Sequence, residues 1–564
     1  MYGDMSGCDT PSMSSSHLSL YPSSTPSPAR ISLLGLPTDV IISILATLDP
    51  PDVLSVRTAC KLLAELTHEH AVWTGTLYRL CSRHAILHST YPVNQLTSTQ
   101  IERIALLPSR FEQLLLSGGS YEDSGSPPVR LKPTAIRTLH IDPPVPKPGG
   151  TALETEPIVV SSDVQMMRII PGGRFVVIGT ELGEVKIWDL GYDPTCQLKS
   201  DPLACIALNG PVNSIHVQAS TPDSFTLAVE YKDGPDEESM KSWIISEVTI
   251  INGMAHLTKK AAVSGVQAEG YALMEGEYIA VEHVGAIFLW NWANDTWGFI
   301  ERYLMNLEPP DFDARDQYRS TPHITAPYIS IYDANLDVIV IFNLPSVDEM
   351  LPTSVVSSTR RTSSPPLLSL TPQMVIPMPY SAVYTIPIRQ WQPSLGLLSS
   401  PAFMALTTNP AALEPLDGNV LASAAFIHLH IRRISPLGRE MGVPMRVEQI
   451  RLEERADLLN AQALYSPSYG GRARVVTVWN AEEGMTTVVG DPSASQMCLA
   501  SDPLVGSEGS TKNVMPPHTR PVILTEPLGP DARDRMAMSF CPLSGRVCMS
   551  IRAGEVMVMD YVNK

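Results

Sequence analysis

The chain has 564 residues, 44% of them hydrophobic, which is more than one core usually serves and implies at least two folding units. No stretch approaches the roughly 18 to 20 uninterrupted apolar residues of a membrane span, and no basic segment leading into an apolar one opens the chain, so a cytoplasmic or nuclear protein with no membrane partner is expected. The formal charge of −18 is unevenly placed: residues 1–150 hold 11 Lys/Arg against 12 Asp/Glu, leaving 29 against 46 beyond them. Such an acidic field repels phosphate backbones and argues against nucleic acid as a partner.

The first 30 residues are rich in Ser and Pro and read as a disordered tail. Residues 31–116 then carry a helical period. Ile41, Ile44, Leu45 and Leu48 form one run, Leu62, Leu63 and Leu66 a second, and Trp73, Leu77 and Leu80 a third, which predicts three short amphipathic helices. Pro37 pre-sets the entry to the first, and Pro50-Pro51 stops it before Asp52 can cap the next. So small a set of helices cannot bury a self-sufficient core, and a leftover apolar face should be covered by something else.

The order of residues from Leu33 to Trp73 resembles the F-box. Leu36-Pro37 opens the segment, Leu48-Asp49-Pro50 makes the turn, Val53, Leu54, Val56, Arg57 and Cys60 follow, and Trp73 closes it. Asp39 stands where that family usually has Glu, and Leu63 where it often has Trp. The resemblance implies docking to a Skp-type adaptor and, through it, to a cullin carrying the ubiquitin-conjugating machinery. By position, Leu36, Pro37, Ile41, Leu45, Val53, Leu54 and Cys60 would face the adaptor. Ile44, Leu48, Leu66 and Trp73 could equally form the small internal core, and periodicity alone does not separate the two roles.

Residues 117–150, with Gly/Ser/Pro runs around a short apolar stretch, read as a linker. From 151 to 564 the period becomes that of strands: Phe175–Ile178, Val185–Trp188, Phe225–Val229, Tyr278–Val281, Ile287–Trp290, Ile329–Tyr332, Val338–Phe342, Phe426–Ile431, Val475–Trp479 and Val556–Met559. Two stretches are alike, RIIPGGRFVVIGTELGEVKIWDL from Arg168 and SFCPLSGRVCMSIRAGEVMVMDY from Ser539. Internal repetition of this kind marks solenoids and propellers. Trp188-Asp189, with Trp290-Asn291, Trp479-Asn480 and Met559-Asp560 as weaker versions, resembles the WD repeat.

The fold class expected is therefore an α + β multidomain chain. A small N-terminal three-helix F-box-like module precedes an all-β propeller of about seven blades, with loop insertions near 346–378 and 490–520. A pair of β-sandwiches is the other architecture such strands allow.

The eight cysteines include no C-x-x-C pair, as expected of reduced thiols. His68-Glu69-His70 does not meet the spacing of a helical zinc site, and no phosphate-binding loop or nucleophile elbow occurs. No catalytic residue, metal or cofactor is expected. The function implied is that of a non-catalytic substrate receptor in a Skp–cullin–F-box ubiquitin ligase, with a propeller scaffold or a propeller enzyme as the other readings. The acidic β-part favours a target with a basic segment. In the insertion near 346–378, Arg360-Arg361 precede Ser363 and Pro365 follows Ser364, a pattern that suits phosphorylation of an exposed loop and regulation of target access.

Overall fold

A computed structural model describes residues 33–117, 129–141, 163–233, 240–251, 253–266, 272–283, 286–301, 322–325, 328–333, 338–353 and 537–562, and between 367 and 523 the backbone course of the strands. The N-terminal part is helical: a 3-10 turn (Leu33–Gly35), then α1 (Thr38–Leu45), α2 (Pro50–Arg57), α3 (Lys61–Leu66), α4 (His70–Arg83), α5 (Ser98–Ala105) and α6 (Leu107–Ser117). The three predicted runs fall on α1, α3 and α4, except Leu48, which lies past the end of α1; the three helices expected are six, since Pro50 and the Thr97 capping box start α2 and α5 and α6 follows. Helix α2 starts at Pro50, with Asp49 and not Asp52 in the N-cap position. Proline is tolerated there because the first helical N–H has no partner in any case. The Asp49 carboxylate makes no capping bond and instead holds Arg83 of α4 at 2.9 Å. Helix α5 begins with a reciprocal Thr97–Gln100 capping box.

The remainder is β-rich. Among the described residues the strands form seven sheets; four are four-stranded, and in three of these the strands follow one another in chain order. The first sheet contains Val164–Ile169, Phe175–Thr180, Glu184–Asp189 and Ala204–Ala207; the second contains Val212–Thr221, Ser224–Lys232, Lys241–Ile251 and Met254–Val266. The third is built on Ala272–Glu275, Tyr278–His283, Ala286–Asn291 and Thr296–Glu301, the fourth on Pro322–Thr325, Tyr328–Asp333, Val338–Asn343 and Met374–Pro377. The leading strands of successive sheets touch. Val164–Ile169 lies against Val212–Thr221, which meets Ala272–Glu275, which meets Pro322–Thr325.

Two boundaries differ from the sequence reading. The expected linker contains the strand Ala135–His140, which pairs antiparallel with Glu555–Asp560 and so completes the last sheet, Met538–Cys541, Arg546–Arg552 and Glu555–Asp560. Without it the outer edge of Glu555–Asp560 would be open, and Leu139 and Ile141 would not reach the core in which they are buried. The insertion expected near 346–378 contains strands: Leu351–Pro352 and Leu367–Leu368 border the third sheet, and Met374–Pro377 completes the fourth. Ser363 and Ser364 lie outside the described residues, as does the segment near 490–520 apart from the strand Met497–Cys498.

The seam at Ala135–His140 is held by charge as well as by pairing. Asp560 accepts from Arg546 Nε at 2.7 Å and from Arg137 Nη2 at 3.0 Å. Both arginines reach on to the first sheet: Arg546 donates to the carbonyls of Gly173 and Gly191, and Arg137 to those of Leu190 (2.8 Å) and Cys196 (3.0 Å). One buried carboxylate thus joins an early strand, the last strand and the first sheet. Within the first sheet Arg174 grips Asp189 through two 2.9 Å bonds. The two aspartates occupy the matching place in the repeated stretches, but the arginines do not: Arg546 sits opposite Asp560, whereas Arg174 sits one residue before the position opposite Asp189.

Replacing Asp560 with Asn leaves the buried Arg546 and the half-buried Arg137 without their anion and should cost about 3–5 kcal/mol, read from urea denaturation. Asp189 gives a pH test. Burial pushes its carboxyl up, but the two bonds and the charge of Arg174, the Gly191 N–H and Lys199 outweigh this and hold it below the usual carboxylate range. A depressed folded value means that its stabilisation is fully present above the unfolded pKa, about 4, and is lost as pH falls through the folded one. The gap in stability between the wild type and Asp189→Asn should therefore be flat above about pH 5 and shrink below about pH 4 in denaturation series across pH.

Candidate functional site

Helix α1, with the sequence TDVIISIL, is apolar on more than one face. Ile41 and Leu45, four apart, point into the core at 2% exposure each; Val40 and Ile44, also four apart, point out at 38% each. A helix that is apolar on two faces needs two neighbours. The first is within the chain. At Gly75 of α4, an added Cβ would come within 2.8 Å of Ala46 Cβ, so α1 crosses α4 at a close approach that glycine permits.

The interior beneath α1 is completed by α4 and α5. Trp73 is fully buried, donates its indole N–H to Thr67 O at 2.7 Å and lies 5.7 Å from the Arg57 guanidinium. Arg57 binds both oxygens of Glu102 on α5, at 3.0 and 2.8 Å, and donates to Thr67 Oγ1 at 3.0 Å. Its planar fork suits this use, which a lysine could not reproduce. The same apolar cluster runs on through Leu63, Leu66, Val72, Leu77, Ile101 and Ile104 to Ile169, Trp188 and Leu543 of the β-part. The inward side of the helical module is therefore filled by the chain itself.

The residues expected to face an adaptor divide. Pro37 is exposed; Leu36, Leu54 and Cys60 are half-buried and pack on the core; Ile41, Leu45 and Val53 are buried in it. Of the residues considered for the internal core, Leu66 and Trp73 are buried, Leu48 is half-buried against it, and Ile44 is exposed. Ile41, Leu45 and Val53, expected at the adaptor, thus lie in the chain's own core, and Ile44, considered for that core, lies outside it. The reason is local: α1 carries two apolar stripes, and spacing identifies stripes without saying which one meets α4. The outward set also contains residues the sequence reading did not select: Leu33 (46%), Leu34 (50%) and Leu62 (41%) beside Val40 and Ile44. The adjacent Leu33-Leu34 pair just before Gly35-Leu36-Pro37 was the available signal.

Among the described residues no group of three or more His, Cys, Asp or Glu side chains could hold a metal ion. Burial pushes the thiols of Cys81 and Cys548 up to about 12, which keeps them protonated at neutral pH. A groove of about 630 Å³ lies between the edge strand Ala135–His140 and the loop containing Thr195, Cys196 and Leu198. The guanidinium of Arg137, which lines it, is engaged by Asp560 and two carbonyls.

Residues 33–78 match the family described as F-box-like. No curated protein matches the chain. The chain accordingly contains an F-box-like module followed by a β-rich region of small sheets. Modules of this family are generally non-catalytic adaptors, and their presence suggests participation in a Skp–cullin–F-box type complex.

Two substitutions separate the faces of α1. Leu45→Ala should destabilise the protein by about 2–5 kcal/mol, as a buried large-to-small change does. Ile44→Ala should stay within about 0.5 kcal/mol of the wild type in the same denaturation experiment.

Proposed function

We propose that this protein is the substrate-recognition subunit of a Skp–cullin–F-box type ubiquitin ligase, working in the cytosol or nucleus. The helical module docks a Skp-type adaptor, and the β-rich region, a seven-bladed propeller in this reading, holds a protein target. The observation that carries the first part is the outward apolar set Leu33, Leu34, Val40, Ile44 and Leu62 on a module whose inward side is already packed. Five large apolar residues left exposed on the 3-10 turn, α1 and α3 favour a partner there.

The propeller reading draws on the seven sheets, on their antiparallel meanders with leading strands in contact, and on Ala135–His140 completing a sheet otherwise made by the last strands. In this reading, tying an early strand to the last ones would join the ends of a ring of sheets and leave few open edges. No helix among the described residues is long and apolar enough to cross a membrane. Catalysis is supplied by the conjugating enzyme at the far end of the complex, and this chain contributes effective concentration by holding the target near it. The acidic excess beyond residue 150 speeds encounter with basic targets more than it selects among them.

Co-expression with a Skp-type adaptor tests the docking step. The wild type should elute with the adaptor from size exclusion. Combining Leu34→Ala with Ile44→Ala should weaken the complex by roughly 1–3 kcal/mol, a factor of about five to 150, with the melting temperature unchanged. Wild-type protein that elutes alone would leave the chain as a scaffold without a ubiquitin role.

A further inference from the structure

The helical module meets the β-part at turns from three different sheets, all at the same end of their strands. In the first sheet Gly172, with φ of +92°, lies under residues 86–91, so close that an added Cβ would come within 2.7 Å of Ile86 and 2.8 Å of Thr90. Tyr91 donates to the Gly172 carbonyl at 3.3 Å. At the second sheet the His88 N–H donates to Pro222 O at 2.7 Å, and the His88 ring lies 3.8 Å from the Asp223 carboxylate. In the last sheet Gly545, with φ of +61°, faces Phe111 of α6, where an added Cβ would meet the ring at 2.8 Å, and Phe111 also packs against Phe540 with ring centroids 5.7 Å apart. These contacts seat the module on turns of three sheets.

Arg174 stands where these contacts meet the strongest ion pair of the first sheet. Its Nε and Nη2 hold Asp189, while Nη1 donates to Ser89 O at 2.6 Å and Thr90 O at 3.3 Å. One guanidinium thus ties a rigid strand to the loop that follows α4. Helix α4 in turn is locked to α1 at Gly75 and Ala46. A continuous path of packed groups runs from the outward face of α1, through α4 and residues 86–91, to Asp189.

We propose that Arg174 is a positioning residue that sets the orientation of the outward α1 face relative to the β-sheets. The turns at Gly172–Arg174, Pro222–Asp223 and Gly545 are occupied by the helical module, so whatever the sheets hold is presented to α1's partner at a fixed angle. The joint stands on its own contacts; its consequence for ubiquitin transfer rests on the receptor reading.

The test is a distance measurement on the full chain. Spin labels carried on unnatural amino acids at Ser43, exposed on α1, and at Glu181, exposed at the opposite end of the first sheet, should give one narrow distance distribution in the wild type. Arg174→Ala should at least double its width. Gly172→Ala, which leaves the Arg174–Asp189 pair intact but drives a methyl into Ile86 and Thr90, should broaden it as well, and serves if the first variant fails to fold. Affinity for a Skp-type adaptor should stay within twofold of the wild type in both. A purely structural role for Arg174 would lower the melting temperature and leave the distribution narrow. Narrow distributions in both folded variants overturn the proposal. If the wild type binds no adaptor yet the variants broaden, the receptor reading fails and the joint stands.

Discussion

The Asp560 carboxylate is the point through which the β-part of this protein is tied together. It belongs to the last strand, it is reached by Arg137 from the strand Ala135–His140, and its second arginine, Arg546, spans to the carbonyls of Gly173 and Gly191 in the first sheet. Burial, and then the neighbouring charge of Arg546, holds the Arg137 guanidinium below its ordinary pKa, and Asp560 opposes both effects. A buried triad of this kind is weak evidence of net stabilisation, because desolvating three charges offsets much of their attraction. Its value here is registry. The burial of Leu139 on one face specifies the register of Ala135–His140 on Glu555–Asp560, and the two bonds to Asp560 reinforce it.

That registry is felt in the helical module, which shares its core with the sheets. Phe111 and Leu115 of α6 pack on Phe540, Val547 and Tyr561, residues on or next to the last three strands, two of which carry Arg546 and Asp560. Trp188, immediately before Asp189, belongs to the cluster that includes Trp73 and Ile41. The F-box-like segment is thus one side of a larger interior, and its inward hydrophobes are satisfied without a partner. What is left over is the outward side of the 3-10 turn, α1 and α3, and it is this remainder, smaller than the full apolar content of the segment, that the proposed adaptor would cover.

Much of this was legible in the residues. The Leu-Pro entry, the Leu-Asp-Pro turn and the closing Trp73 identified the helical segment, and the paired stretches around Asp189 and Asp560 identified two sheets of like construction. Short apolar runs rich in β-branched and aromatic residues placed strands at Phe175–Ile178 and Ile287–Trp290, which lie within Phe175–Thr180 and Ala286–Asn291. Other features depend on contacts that no local pattern encodes. Ala135–His140 sits between Pro-rich runs and acquires its strand character from a partner at the other end of the chain. The exchange between Ile41 and Ile44 could not be read because both belong to an apolar stripe, and only the presence of α4 at Gly75 decides which turns inward. Arg57 was noted only as a member of the F-box run, while its bond to Glu102 required α5 to be in place.

The most direct measurement of the central claim is footprinting of side chains with and without a Skp-type adaptor. Hydroxyl-radical labelling of the free protein should modify Leu33, Leu34, Val40, Ile44 and Leu62, and also Ile251 and Met254, which are exposed at the end of the long hairpin in the second sheet. Addition of the adaptor should protect the first five and leave the hairpin pair unchanged. Unchanged labelling at all seven positions, or protection confined to Ile251 and Met254, would contradict the account.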